Sequence, residues 1–135
     1  MLSKGYLRPL PEINAIQKVD WISGAAIFTS KKTFNQLGGF DEDYFMYCED
    51  VDFCLRARKA GQRVIYHPSA SVIHAIGGSS RQLPFKMILE RHRSIWNYYR
   101  KHMRISAWMD PLILGGLTIR CIGIWVITGF RSLLR

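Results

Sequence analysis

The feature that most constrains this chain is an abrupt change from aromatic to acidic residues at positions 44–52, which read YFMYCEDVD. Gly38, Gly39 and Phe40 come shortly before this run. A solvated acidic loop has no need of large apolar residues, and a helix buried on all sides would not carry several carboxylates. The run therefore predicts a loop that is anchored by aromatic side chains and that delivers acids to the mouth of a pocket, where an enzyme keeps a general base.

Helix signals begin at the acids and continue over residues 49–60. Asp52 and Arg56 are four residues apart, a spacing at which opposite charges meet on a helix surface. Cys54 shares a face with apolar neighbours and is expected to be a small buried residue. Gly61 is well placed to end the helix, since a glycine adopts the left-handed conformation that often follows the last turn.

Asp50 is the acid in this cluster that we consider first as a catalytic base. Its alternative role is that of an ordinary acid in the first turn of a helix, where the helix dipole favours negative charge. His74 follows Asp50 by 24 residues. A single histidine at a strand end is more often a hydrogen-bonded structural residue than a metal ligand, because a metal site needs several convergent ligands. The residues alone leave both alternatives open.

The rest of the chain up to residue 103 predicts short strands and helices. Gly24, within an apolar run, would permit a close backbone approach. His92 lies on the apolar face of an amphipathic helix and is expected to be a packed core residue. The predicted elements are a buried strand at 21–28, a helix capped by Ser30 and ended by Gly38, strands at 63–67 and 71–75, a flexible loop at 77–80, and the amphipathic helix at 85–103.

The net charge of +9 is distributed unevenly along the 135 residues. Residues 1–80 hold nine Lys and Arg against eight Asp and Glu, whereas residues 81–135 hold ten against two. Basic charge mixed with apolar residues favours an anionic membrane surface as the partner, and we expect no nucleic-acid binding. Three cysteines without a paired spacing indicate a reducing compartment, and no signal peptide is expected.

The apolar segment at residues 112–134 predicts a helix in contact with a membrane. It is interrupted by Arg120 and Arg131, which lie eleven residues apart and so on one side of a helix, together with Gly116 and Gly123. An arginine in the middle of a membrane span costs about 2.5–3.5 kcal/mol on insertion scales. We therefore expect a helix that lies in the membrane interface, with a tilted span and a core helix of a soluble domain as alternatives.

Two D-x-D strings occur, at residues 41–43 and 50–52. Such a string can hold a divalent cation and a nucleotide diphosphate, because carboxylate oxygens suit Mg²⁺ or Mn²⁺. The first string lies in a glycine-anchored loop rather than directly after a long apolar strand. In the second, Asp52 turns away toward Arg56. Neither string is a convincing nucleotide site.

These motifs form an ordered series: SGAA at 23–26, LGGFDEDYFMYCEDVDFCLRARKAG at 37–61, HAIGGS at 74–79, and a basic-aromatic helix that contains Arg91 and Lys101. The series resembles the C-terminal half of the catalytic domain of family 2 glycosyltransferases, particularly the bacterial rhamnosyltransferase-like branch. The resemblance covers about residues 18–104. It implies an α/β fold, a partial GT-A (Rossmann-like) domain without its N-terminal nucleotide-binding half, followed by amphipathic C-terminal helices. Residues 1–17 would be a lead-in and residues 105–135 a membrane-associating tail.

The resemblance also implies roles for individual residues. Asp50 corresponds to the catalytic base, and His74 is similar to a ligand of the catalytic metal. The positions that correspond to substrate-binding residues are Trp21, Gly24, Gly39, Phe40, Asp41 and Glu49.

By the same resemblance the protein would be an inverting glycosyltransferase. It would transfer a sugar such as rhamnose from a nucleotide-sugar donor to a lipid-linked or cell-surface polysaccharide acceptor, as in O-antigen and lipopolysaccharide biosynthesis. A divalent cation, Mg²⁺ or Mn²⁺, would be bound with the help of a D-x-D motif in the nucleotide-binding half. The expected location is peripheral, at the cytoplasmic face of the bacterial inner membrane.

The first 17 residues are too short for even one βαβ unit, so the nucleotide-binding half has no counterpart in this sequence. We therefore expect a truncated or split enzyme that needs its missing half in trans. The alternative is a non-catalytic remnant or membrane-associated interaction module derived from such an enzyme.

Overall fold

The computed structural model describes residues 15–74, 84–103 and 106–133, without the side chains of 131–133. The elements in chain order are β1 (Gln17–Lys18), α1 (Lys31–Gln36), α2 (Glu49–Lys59), β2 (Ile65–Tyr66), α3 (Pro84–His102), a 3₁₀ turn (Ala107–Met109) and α4 (Asp110–Leu133). The predicted loop at 77–80 lies outside the described residues.

The two strands form a small antiparallel ribbon. Gln17 pairs with Tyr66 and Lys18 with Ile65. Residue 17 therefore takes part in the fold, which corrects its assignment to the lead-in. In the described part of the chain this ribbon is the whole sheet, so the Rossmann-like part of the expected fold stays a prediction.

Local sequence signals place the ends of α1 and α2 correctly. The Ser30 hydroxyl accepts a hydrogen bond from the Thr33 amide at 3.0 Å and so caps α1. Gly38 follows α1 with φ of +79°, and Gly61 follows α2 with φ of +77°. At the end of α2 the Gln62 amide donates to the Ala57 carbonyl at 2.9 Å, which together with the Gly61 conformation completes a Schellman motif.

The strands predicted at 21–28 and 71–75 are wrong. Residues 24–26 form a turn instead, and the Gly24 amide donates to a side chain rather than to a neighbouring strand. Residues 71–74 are irregular. Val72 and Ile73 are exposed, so the apolar residues that predicted this strand have no core to pack against. Ala75 lies outside the described residues.

The small core beneath α2 consists of Cys54, Ala57 and Val64, with partly buried aliphatic residues packed around it. Cys54 is 2% exposed, as predicted. A second cluster joins α1 to α2 through three aromatic rings whose centroids lie 5.3–5.6 Å apart. Its members are Phe34, Phe40 and Phe53. These two clusters hold the start of α2 close to the loop that follows α1.

Helices α3 and α4 form an antiparallel hairpin. At one end the Phe85 and Trp125 rings meet edge to face at 5.6 Å, and the Trp125 indole donates to the Phe85 carbonyl at 3.1 Å. At the other end Arg100 pairs with Asp110. α3 is buried on two sides, because it also packs against residues 41–47.

This double contact determines which side chains of α3 and the adjoining residue are buried. Phe85, Leu89 and Met103 remain 38–52% exposed, whereas Met87 and Ser94 are buried. His92 is buried as predicted, with its Nδ1 2.7 Å from the Ile88 carbonyl oxygen.

The apolar tail forms a helix, as predicted. Residues 107–130 are long and apolar enough to cross a membrane, with a mean hydropathy of 1.8, and none of that stretch is buried. Large side chains such as Ile119, Val126 and Phe130 are 65–74% exposed. The alternative of a core helix therefore has no support in the described residues.

Candidate active site

The aromatic run before α2 lies along α3. The Ser94 hydroxyl donates to the Met46 carbonyl at 2.8 Å, and the Asn97 amide group donates to the Asp43 carbonyl at 3.1 Å. Three cations of α3 lie over three aromatic rings of the run at 4.7–5.2 Å from the ring centroids. The pairs are Lys86 with Phe45, Arg91 with Tyr47, and Lys101 with Tyr44. The aromatic anchor that the sequence predicts thus packs on a basic helix.

The backbone is strained immediately before the acids. Tyr47 and Cys48 have φ of +70° and +66°, in the left-handed region that non-glycine residues rarely adopt. Such conformations cost about 1–3 kcal/mol each and persist where the surrounding structure imposes them, often at functional sites. Here the contacts of the run with α3 impose them. They turn the chain so that α2 starts at Glu49.

Asp50 is fixed by two backbone amides. Its Oδ2 accepts a hydrogen bond from the Gly24 amide at 2.8 Å, and its Oδ1 accepts one from the Val51 amide at 2.8 Å. The backbone of Gly24 thus approaches Asp50 closely, as the sequence predicted, and a Cβ at this position would be in ordinary van der Waals contact, 3.4 Å from the Asp50 Cβ. Each carboxylate oxygen keeps a second lone pair. Asp50 is therefore an oriented, half-buried carboxylate that can still accept a proton from a hydroxyl group.

Several charges converge on the Cys48 thiol. Burial, together with the negative charges of Asp50 and Glu49, raises the pKa of Cys48 to about 11, while the Arg91 cation opposes this rise. The thiol thus stays protonated at neutral pH and is a poor nucleophile. The same interactions place the Arg91 cation in the electrostatic neighbourhood of the candidate base.

The loop after α1 is held by two cationic side chains, Lys101 of α3 and Arg56 of α2. Gly39 has φ of +70°, and a Cβ there would lie 3.2 Å from the Phe34 ring. Asp41 and Asp43 each lie 2.5 Å from the Lys101 ammonium group. The Lys101 hydrogen bond lowers the pKa of Asp41. The carboxylates of the first D-x-D string are therefore engaged by Lys101.

Asp52 is a buried carboxylate that connects several parts of the fold, and the sequence predicted only one of its two side-chain partners. It is 1% exposed, and its Oδ2 lies 2.7 Å from Arg56 Nε, the predicted ion pair. Its Oδ1 lies 2.5 Å from His102 Nε2, a partner 50 residues away that no local signal indicates. Arg56 in turn donates to the carbonyl oxygens of Leu37 and Gly39. The loop that carries Phe40 and Asp41 is thereby tied to α2 and to α3.

The predicted site residues fall into two groups. Gly24 contacts Asp50, Glu49 adjoins it, and the loop at 39–41 is tied to α2 through Arg56. The Glu49 Oε2 atom is buried without a hydrogen-bond partner among the described residues. Trp21 is 51% exposed, and His74 is exposed and makes no contact with the other predicted residues in the described part of the chain. The roles of all these residues stay predictions.

The described residues do not form a cation site by themselves, since they contain no group of three or more His, Cys, Asp or Glu side chains arranged to hold a metal ion. His74 could contribute one ligand, and the carboxylates of Asp41 and Asp52 are already paired with cationic or hydrogen-bonding side chains.

The sequence is similar to bacterial and archaeal glycosyltransferases. It is 37% identical over 105 residues to N-acetylglucosaminyl-diphospho-decaprenol L-rhamnosyltransferase of Mycobacterium tuberculosis, covering 76% of this chain and 34% of that protein. It is 34% identical over 98 residues to rhamnosyltransferase WbbL of Escherichia coli, covering 73% of this chain and 37% of that protein. A shorter match, 38% identical over 58 residues, joins it to low-salt glycan biosynthesis hexosyltransferase Agl10 of Haloferax volcanii, covering 42% of this chain and 19% of that protein.

This chain spans about a third of the length of the two rhamnosyltransferases. No solved structure matches it. Residues 12–134 match the family described as glycosyl transferase family group 2, and this range includes the strained turn, Asp50 and both helices of the hairpin. The chain belongs to that glycosyltransferase family.

Proposed function

We propose that this chain provides the acceptor-activating part of an inverting glycosyltransferase. The reaction moves a sugar such as rhamnose from a nucleotide-sugar donor to a lipid-linked or cell-surface polysaccharide acceptor. Asp50 removes the proton from the acceptor hydroxyl as that oxygen attacks the anomeric carbon, which inverts the configuration there. The observation that carries the proposal is the orientation of the Asp50 carboxylate by the Gly24 and Val51 amides.

Two further features support this function. The dipole of α2 favours negative charge in the first turn of the helix, where Asp50 lies. The names of the relatives describe rhamnosyl transfer, in one case to a diphospho-decaprenol lipid. The donor nucleotide, and any Mg²⁺ or Mn²⁺ bound with it, would be held mainly by a nucleotide-binding half of GT-A type outside these 135 residues, with His74 as a possible contribution from this chain.

A transfer assay with a nucleotide-rhamnose donor and a prenyl-diphosphate-linked N-acetylglucosamine acceptor tests the proposal, with a nucleotide-binding half of a relative supplied in trans. Asp50→Asn should lower the transfer rate by about 10²–10⁴-fold, because the acceptor hydroxyl loses its base. The control is Asp20→Asn, which changes a carboxylate that is 87% exposed. If the Asp50→Asn enzyme transfers sugar as fast as the control, Asp50 is not the base.

The second candidate function is a non-catalytic, membrane-associated interaction module. The observation in its favour is that the described residues contain an antiparallel ribbon and helices but no nucleotide-binding unit. This candidate predicts that no added half restores transfer while the chain still binds vesicles. Restored transfer would exclude it.

A further inference from the structure

A small cavity lies beside the start of α2, between the aromatic run and the α3–α4 hairpin. Its volume is about 260 Å³. The wall residues that bear on its chemistry are Tyr47, Met87, Ile88, Arg91, His92 and Ile124. Tyr47 precedes Asp50 by three residues, so the cavity adjoins the turn that positions the candidate base. A larger apolar groove of about 490 Å³ lies along the hairpin; it shares His92 with the cavity and is otherwise lined by different residues, such as Arg93 and Trp96.

One residue of the cavity wall, His92, has a buried polar atom without a partner. His92 is 6% exposed, and its Nδ1 must donate to the Ile88 carbonyl because a carbonyl oxygen only accepts. Its Nε2 is buried and has no hydrogen-bond partner among the described residues. Leaving a buried polar group unpaired is unfavourable, and such a group points to a missing ligand or bridging water.

Arg91 supplies a positive charge to the same cavity. Its guanidinium lies 4.7 Å from the centroid of the Tyr47 ring, and it forms no ion pair with the described residues. It also interacts electrostatically with Cys48, as Asp50 does. A guanidinium presents several donors in a planar fork that matches phosphate oxygens. The cavity thus joins one anion-binding cation to the neighbourhood of the base.

Apart from the Thr128 hydroxyl, the remaining walls are aliphatic and continue toward an apolar helix. Met87, Ile88 and Ile124 offer no hydrogen-bonding groups, and one face of the Tyr47 ring is covered by the Arg91 guanidinium, so the cavity suits a hydrocarbon chain better than a nucleobase. α4, which contributes Ile124, carries exposed apolar side chains along its length. The volume is below the roughly 300–1,000 Å³ of sites that enclose a whole drug-sized ligand. One narrow hydrocarbon chain with an anionic end fits this space better than the two chains of a phospholipid.

We infer that this cavity binds the prenyl-diphosphate end of the lipid-linked acceptor. Arg91 binds the diphosphate, Met87, Ile88 and Ile124 contact the first isoprene units, and a water molecule joins His92 Nε2 to a phosphate oxygen. The sugar attached to the diphosphate then extends toward Asp50. The inference rests on the proposed function, which it deepens by assigning the acceptor lipid a site on this chain.

The test measures binding of farnesyl diphosphate to the full chain in a neutral detergent by isothermal titration calorimetry. Arg91→Ala should weaken the affinity at least tenfold, because a charge-assisted contact is lost. Arg93→Ala is the matched control: it removes the same charge two residues away, on the wall of the other groove, and should leave the affinity within twofold. Ile124→Trp fills the cavity and should also weaken binding at least tenfold, with the helix content by circular dichroism unchanged.

Three results would overturn the inference. Equal losses in Arg91→Ala and Arg93→Ala would show general attraction of an anion to a basic helix. Farnesol binding as tightly as farnesyl diphosphate would show that the diphosphate has no site. Competition by phosphatidylglycerol at the same concentration as farnesyl diphosphate would identify the occupant as an ordinary membrane lipid.

The two proposals can fail separately. Asp50→Asn should bind farnesyl diphosphate like the unchanged chain and yet transfer sugar about 10²–10⁴-fold more slowly. Transfer that proceeds normally in Arg91→Ala would contradict the lipid site and leave the base in place. Normal binding of the probe with transfer unaffected by Asp50→Asn would contradict the base and leave the lipid site in place.

Discussion

At the scale of single residues, the candidate base depends on a glycine 26 positions earlier in the chain. Gly24 donates its amide to Asp50 and carries no side chain in the direction of the carboxylate. A Cβ at this position would lie 3.5 Å from Asp50 Oδ2. That is ordinary van der Waals contact, so a methyl group fits, whereas the additional methyl groups of a branched side chain would have to displace the carboxylate.

The loss of activity caused by substitutions at Gly24 should therefore increase with the size of the new side chain. We expect Gly24→Ala to retain most of the activity and Gly24→Val to lower kcat/KM about 10–100-fold, because catalytic geometry tolerates little displacement. The measurement is the transfer assay in the completed enzyme, with thermal unfolding to show that both variants fold. Equal activity of the two variants would mean that the Gly24 contact does not position Asp50.

At the scale of elements, Asp52 connects α2 with α3 and with the loop after α1. It is almost fully buried and touches Arg56 and His102, and Arg56 reaches the carbonyls of Leu37 and Gly39. A buried carboxylate of this kind must keep its partners, since burial of an unpaired charge is costly. Asp52 therefore serves to hold elements together, although it stands only two residues from the candidate base.

Asp52→Asn should destabilise the fold by about 1.5–3 kcal/mol, because hydrogen bonds between charged groups are replaced by weaker ones. Asp20→Asn, at the exposed pair with Arg58, should cost less than about 1 kcal/mol. Thermal unfolding followed by circular dichroism in one detergent compares the two variants. If their unfolding temperatures fall by the same amount, the Asp52 junction is not a major support of the structure.

At the scale of the whole molecule, the structure separates into a small α2-centred core and an apolar hairpin. α4 exposes large aliphatic side chains together with Arg120. We propose that this uncovered surface, beside basic residues of α3, holds the protein peripherally on an anionic membrane, such as the cytoplasmic face of the inner membrane. A tilted span remains the alternative, since residues 107–130 are long enough to cross.

The depth of two tryptophans in vesicles containing phosphatidylglycerol distinguishes these arrangements. Variants that keep only Trp108 or only Trp125 report on the beginning and the middle of the helical tail. If α4 lies in the interface, lipids that carry a quencher at a shallow position should quench both residues to a similar extent. Deep quenching of Trp125 with shallow quenching of Trp108 would instead show that the helix spans the bilayer.

The sequence was sufficient for the features that depend on near neighbours. Ser30, Gly38 and Gly61 mark helix ends, the periodicity of residues 85–103 marks α3, and the four-residue spacing of Asp52 and Arg56 marks their ion pair. Helical hydrogen bonds and caps join residues within one or two turns, so their signals lie close together in the chain. The family resemblance rests on the same kind of local, ordered motif.

Contacts between distant residues required the folded structure. The apolar run at 21–28 predicted a strand, yet it turns at Gly24 to meet Asp50, and no residue near Asp52 indicates that His102 is its partner 50 positions away. Which distant groups meet depends on how the loops close and on which faces of α3 are buried against other elements. Packing over the whole chain determines both. The acids at 49–52 thus stood out in the sequence, while the folded chain separated their surroundings: Asp50 is half-buried and oriented by two backbone amides, and Asp52 is buried in the framework.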